Sequence, residues 1–191
     1  MSNNLPNWNL KDFYSSFKDE AISQDLDIFQ KFTKTFRENY KDKLLSHSSK
    51  LENIIEEYEN GNEIGDKLGN YAFLIYATNM DVPEIVQFYQ DINEKLTEIS
   101  SDLIFFTNEI NATSDEDFKR LINGSGKYKS WLNNIRRFKN HQLDEKSEQI
   151  LLDKNLTASS SWVRFFEEQI NDLKFNLDGK DLNSAGVLNL L

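Results

Sequence analysis

Two histidines, a glycine-rich turn, a basic cluster and an acidic run are the places in this 191-residue chain where residue type and spacing could suit chemistry. A catalytic zinc ion needs three protein ligands and an open position. A His-Glu-x-x-His helix supplies two of them one turn apart on one face. His47 is followed by Ser48-Ser49-Lys50-Leu51 and His141 by Gln142-Leu143-Asp144-Glu145, so neither has a histidine partner at that spacing. His47 is expected to be solvated, and His141 to be a hydrogen-bonded loop or helix-capping residue. Gly124-Ser125-Gly126-Lys127 approaches a phosphate-binding loop, but Leu121 and Tyr128 stand where the full pattern needs Gly and Ser or Thr, and Lys129 replaces the third Gly of a dinucleotide fingerprint. An interhelical turn with Ser125 as N-cap accounts for it. Arg136-Arg137 with Lys139 could hold a carboxylate; a helix C-terminus with favourable dipole charge is the expected role. Glu52, Glu56, Glu57 and Glu59 read as a solvated face. Trp131, Trp162 and the fourteen phenylalanines could include a peptide-binding wall, although aromatics at helical spacing usually form core. No catalytic, metal or cofactor-binding residue is assigned, and the substrate-binding residues are left open.

Composition narrows the class. With 22 basic and 32 acidic residues the formal charge is -10, a field that repels phosphates and anionic lipid, so no nucleic-acid or membrane partner is expected. Cysteine is absent, which removes disulfides and thiol chemistry. Met1 to Asp12 lacks the basic and apolar segments of a signal peptide, and a cytoplasmic location is expected. Hydrophobic residues at 38% supply a core, and only two prolines, Pro6 and Pro83, interrupt a composition suited to long helices.

The elements follow from periodicity, and the fold class is all-α: a bundle of long antiparallel helices, then shorter helices and one small β-hairpin near the C-terminus. The whole of 1–191 reads as a single helical domain. Residues 1–18 form an extended arm pinned by Trp8, Leu10, Phe13, Tyr14 and Phe17. Ile22, Leu26, Phe29, Phe32, Phe36, Tyr40 and Leu44 predict a helix from Asp19 to Leu45. A second begins after Ser48 or Ser49. Within it Gly61, Gly65 and Gly69 mark either a face where a neighbouring backbone approaches or a break near Gly61. Asp81 as cap, Pro83 and Glu84 open a third helix expected to continue to Ile110. Shorter helices start at Ser114, near Tyr128, at Asp144 or Ser147, and at Thr157 or Ser159. Asp178-Gly179 suits a type I′ turn in a hairpin over 175–182, which must pack on something because a lone hairpin is marginal. Asn183 or Ser184 then caps the start of a helix over 183–191. Its apolar Val187, Leu188, Leu190 and Leu191 suggest either a truncated helix whose partner lies in absent residues or a terminal helix docked on its own bundle.

The C-terminal third also carries a family resemblance. His141-x-Leu143, Glu148, Ser161-Trp162-Val163, Phe165-Phe166-Glu167, Leu173-x-Phe175, Asp178-Gly179-Lys180 and Leu188-Asn189-Leu190-Leu191 resemble the oligoendopeptidase F branch of the M3 zinc metallopeptidases. Upstream, Trp8-Asn9-Leu10-x-Asp12-Phe13-Tyr14, Tyr58-Glu59, Leu68-Gly69-x-Tyr71-Ala72-x-Leu74-x-Tyr76-Ala77-Thr78 and Leu103-x-Phe105-Phe106 resemble the same family in the same order. The resemblance implies the helical N-terminal lobe of a zinc metalloendopeptidase that hydrolyses short peptides. The zinc and its His-Glu-x-x-His helix would lie in an absent C-terminal catalytic part, so this chain alone would be inactive and would wall or gate the substrate channel. The partners so implied are that catalytic part of the same polypeptide and oligopeptide substrate, with possible self-association through exposed apolar surface. The alternative is a self-standing helical module that binds a protein or peptide without enzymatic activity.

Overall fold

A computed structural model of the chain describes residues 8–190; the first seven residues of the expected arm, Pro6 among them, and Leu191 lie outside them. Three long helices make the body: α1 (Glu20–Tyr40), α2 (Leu51–Ala77) and α3 (Pro83–Ser100). Consecutive and joined by short connections, they run antiparallel and pack on one another. Asp19 starts α1 by accepting the Ala21 N–H at 3.0 Å, which satisfies a donor the helix cannot. The Ser15 hydroxyl and the Ala21 and Ser15 amides together hold the Asp19 carboxyl at about 2. The expected extension of α1 to Leu45 is corrected. Asp42 adopts φ 62°, the left-handed region, so the helix stops at Tyr40. A 3₁₀ segment over Leu44–Lys50 then turns the chain and buries Leu44.

Helix α2 is continuous, which settles the glycine question against a break. The close approach is made by rings rather than by backbone. Phe32 lies on Gly61, and a Cβ at Gly65 would sit 2.8 Å from the Phe29 ring. The cap of α3 is also corrected. Pro83 occupies the first turn and Val82 is the N-cap, with no side-chain bond from Asp81, while Glu84 reaches Lys18 at 3.0 Å. Nor does α3 run to Ile110. A 3₁₀ turn at Ser101–Leu103 separates it from α4 (Ile104–Ala112) and brings Phe105 and Phe106 inward.

Two short helices close the body. In α5 (Asp115–Asn123) Ser114 caps by accepting the Asp117 N–H, and α6 (Lys129–Arg136) buries Leu132. The turn between them is locked against the 3₁₀ segment at Ser48. Glu52 N–H donates to the Gly124 carbonyl at 3.0 Å, and a Cβ on Gly124 would overlap the Ser48 carbonyl. Gly124→Ala is therefore expected to cost about 3 kcal/mol, because two backbones rather than a flexible side chain would have to part; chemical denaturation measures it. Ser125 does not cap the following helix. Its hydroxyl donates to the Ile122 carbonyl at 2.8 Å and is buried.

Beyond the body come α7 (Glu145–Thr157), capped by Asp144, then α8 (Ser159–Asp172), the strands β1 (Phe175–Leu177) and β2 (Lys180–Leu182), and α9 (Ser184–Leu188), capped by Asn183. Asp178 at φ 53° and Gly179 at φ 76° make the type I′ turn. Packing here differs from the body. Every buried residue lies between Tyr14 and Leu132, and none of the described residues beyond Leu132 is buried. The hairpin does not find the body it was expected to need: its strands are open apart from half-buried Leu182, which lies beside α9. Trp8, expected to pin the arm, is 86% exposed, whereas Tyr14 is buried and Leu10, Phe13 and Phe17 rest on the core. No helix among the described residues is long and apolar enough to cross a membrane.

Candidate functional site: an open groove beside an unpartnered apolar face

The residues singled out for chemistry serve mostly as connectors. His47 presents Nδ1 to the Lys43 carbonyl at 2.9 Å, and His141 is an exposed residue closing the 3₁₀ turn Lys139–His141. They fall in different parts of the fold, and among the described residues no three His, Cys, Asp or Glu side chains are placed to hold a metal ion. The described residues do not fit a zinc ion. The acidic run stays on the surface, with Glu59 exposed and the others half-buried, and each member has a partner. Glu56 pairs with Lys127 at 2.7 Å, Glu57 accepts from Tyr40 at 2.6 Å, Glu59 accepts from Tyr128 at 2.5 Å, and Glu52 takes the Lys127 N–H at 3.2 Å. Burial and the Glu57 bond push the Tyr40 phenol up to about 12. Arg136 lies in the last turn of α6, as expected, and also holds a carboxylate. Its guanidinium bonds the C-terminus of α4 as well, donating to the carbonyls of Ile110, Asn111 and Thr113 and to the Asp115 carboxylate at 2.7 Å.

Polar contacts, not core, fasten α7 to the body. Glu145 accepts from Arg37 at 2.6 Å and Lys41 at 2.7 Å, and Arg37 also donates to the Asp102 carbonyl at 3.2 Å. Burial raises the Glu145 carboxyl, but the bonds from Lys41 and Arg37 outweigh that and leave it below its ordinary 4.5. A carboxylate with a depressed folded pKa stabilises above its unfolded value, and that stability is lost as pH falls through the folded one. Neighbouring Glu109, raised by burial, works in the opposite sense. Relative to the intrinsic rate at each pH, the backbone amides of 145–157 should therefore exchange faster below pH 4.5, read as falling protection factors in hydrogen exchange. Glu145→Gln should bring that faster exchange to neutral pH.

Between α4, α6 and α7 the chain leaves an open groove of about 790 Å³. Ile104, Ile135, Phe138, Leu151 and Leu152 make apolar walls, with Glu148 and Lys154 also on the lining. Three amide atoms beside it are buried without hydrogen-bond partners: Asn108 Nδ2, Asn111 Oδ1 and Gln142 Oε1. Gln142 Nε2 donates across to Asn108 Oδ1. A buried, unpartnered polar atom costs roughly 1–3 kcal/mol, so three together need a reason. Neither asparagine was legible as a site residue, since Asn on a helix gives no signal until its partners are known. In the sequence Gln142 stands out only as the neighbour of His141.

Beyond the groove the apolar side chains are open. Trp162 is 71% exposed, Phe166 64% and Leu188 67%, with Val163, Phe165 and Ile170 about half-exposed. Isolated exposed apolar residues are ordinary, but a run of large ones along one helix and into a hairpin marks an interaction surface.

The fold and these surfaces define an all-α lobe with a packed helical body and an open C-terminal half. Residues 109–175 match the family model described as Oligopeptidase F, the N-terminal region of M3 peptidases. The match supports an N-terminal region of an M3-family peptidase and spans about a third of the chain, from the second half of α4 into β1. It takes in α8 and the groove residues from Asn111 onward, and leaves Ile104, Thr107 and Asn108 of the groove and the upstream motifs at Trp8, Tyr58 and Leu68 outside. No curated protein and no solved structure matches the chain.

Proposed function

We propose that the chain is the non-catalytic N-terminal lobe of an oligoendopeptidase F-like zinc metalloendopeptidase, acting in the cytoplasm. In this reading the lobe walls or gates the channel through which short peptides reach the zinc site, and its open apolar face seats against the catalytic part of the same enzyme. The family match over residues 109–175 supports the assignment. The observation that carries it is the open apolar face of α8, which lies inside that stretch, beyond the last buried residue Leu132. The matched region is where Trp162, Val163, Phe165 and Phe166 stand exposed on α8, while the helices upstream are already packed among themselves. Burying each such side chain is worth roughly 1.5–3 kcal/mol, ample for a permanent interface.

Two measurements test it. The purified chain should not hydrolyse fluorogenic peptides with zinc added; turnover abolished by a chelator overturns the non-catalytic assignment. In sedimentation, the chain should self-associate through the open face. Trp162→Ser with Phe166→Ser should weaken that association at least about tenfold while changing the stability of the body by less than about 0.5 kcal/mol. A chain monomeric at every concentration would point instead to a self-standing helical interaction module.

A further inference from the structure

We propose that the groove between α4 and α7 binds a short stretch of extended, uncharged peptide, gripped by its main-chain amides rather than by side-chain charge. This deepens the channel-wall reading and rests on it for biological sense; its chemistry comes from the groove alone. Asn111 lines the groove, is 5% exposed, and its Oδ1 has no hydrogen-bond partner. Asn108 stands one turn earlier on the same face of α4, and Gln142 faces it from the segment leading into α7; each contributes one further unpartnered amide atom. Together they offer one N–H donor and two C=O acceptors. A peptide main chain carries the complement, carbonyls that accept and N–H groups that donate, repeating along its length. The terminal torsions of Asn and Gln are soft, so Asn111 can turn its Oδ1 toward a ligand at small cost, while Asn108 and Gln142 give up the bond between them to do so.

The rest of the lining decides against other chemistries. A phosphate or carboxylate would need fixed cations, yet the only basic groups on the lining are Lys154 and exposed His141. A cationic ligand would meet one carboxylate, Glu148, but also the ammonium of Lys154, so the fixed charges of the lining favour neither sign. The walls of Ile104, Ile135, Phe138 and Leu151 suit aliphatic side chains, and a volume of about 790 Å³ is that of a site for a small ligand. The specificity so defined is for uncharged, aliphatic segments with little dependence on residue order.

The test uses the full chain, labelled with ¹⁵N, and N-acetyl-Ala-Leu-Ala-amide as probe. The side-chain NH₂ resonances of Asn108, Asn111 and Gln142 should shift on titration. An analogue N-methylated at Leu, which lacks one donor, should bind about tenfold more weakly. Asn111→Leu with Gln142→Met should fold with an equal or higher Tm, because it removes unpartnered groups, and should lose binding by a similar factor. Gln142→Met alone serves should the double variant not fold. Unmoved side-chain resonances, equal binding of the methylated analogue, or undiminished binding by the folded variants overturns the proposal. A chain that self-associates through Trp162 and Phe166 but ignores the probe overturns this inference and spares the channel-wall reading. A chain that binds the probe but never associates does the reverse.

Discussion

Phe36→Ala is expected to cost about 3–5 kcal/mol, a large share of the roughly 5–15 kcal/mol that holds a typical domain together. Phe36 is fully buried, with ring centroids of Tyr40, Phe106, Tyr58 and Phe105 at 4.9, 5.2, 5.7 and 6.0 Å. Those rings come from α1, α2 and α4, so the cavity left by the truncation opens where three helices meet and no single one can collapse into it. The ring's edge-to-face partners add to the loss, since such pairs are worth about 0.5–1.5 kcal/mol beyond their buried area. Denaturant unfolding followed by circular dichroism should show the midpoint falling with little change in slope. A loss under about 1 kcal/mol would mean that the aromatic cluster is not the keystone of the body.

Arg136→Met is expected to cost about 3 kcal/mol, and Arg136→Lys to restore little of it. The guanidinium is only 13% exposed as a side chain and lies 4.6 Å from the Phe118 ring centroid. It bonds the Asn111 carbonyl at 2.7 Å and the Thr113 carbonyl at 2.9 Å, both orphaned where α4 ends, and pairs with Asp115 at the start of α5. Methionine fills much of the volume but leaves the Asn111 carbonyl unpartnered, at about 1–3 kcal/mol for a buried group, and leaves the Thr113 carbonyl to Lys139 alone. A lysine ammonium is a single point and cannot span the fork. The Asp115 bond adds less, because that carboxylate is 90% exposed and the pair is screened. Recovery to within about 0.5 kcal/mol of wild type in the lysine variant would show that charge alone, and not the planar fork, does the capping.

Much of the helical plan was readable along the chain. The apolar period of Ile22, Leu26, Phe29 and Phe36 places the inner face of α1, and all four are buried. Ser114, Asp144 and Asn183 are caps in the structure as their side chains suggest. Asp178-Gly179 forms its turn because both residues tolerate positive φ. These are local effects, settled within one or two turns of chain. The helix ends at Tyr40 and Ser100 were not readable. Asp42 enters the left-handed region, and the 3₁₀ turn at Ser101 rotates Phe105 and Phe106 inward, where they complete a core assembled from distant segments.

The candidate site was less legible, for the same reason. Asn108 and Asn111 acquire meaning only when α7 arrives alongside α4 and leaves their amide atoms without partners. Arg136 was visible as charge, but its target, the last carbonyls of a helix more than twenty residues earlier, was not. The same holds for aromatics: Phe36 and Phe166 look alike in sequence at helical spacing, yet one is fully buried and the other 64% exposed. Most helices, their inner stripes, several caps and the hairpin turn are written along the chain, because backbone propensity and side-chain period act between near neighbours. Only the tertiary structure decided which stripes met a partner and which stayed open. Burial and hydrogen-bond satisfaction belong to pairs of segments, and a linear pattern records only one member of each pair.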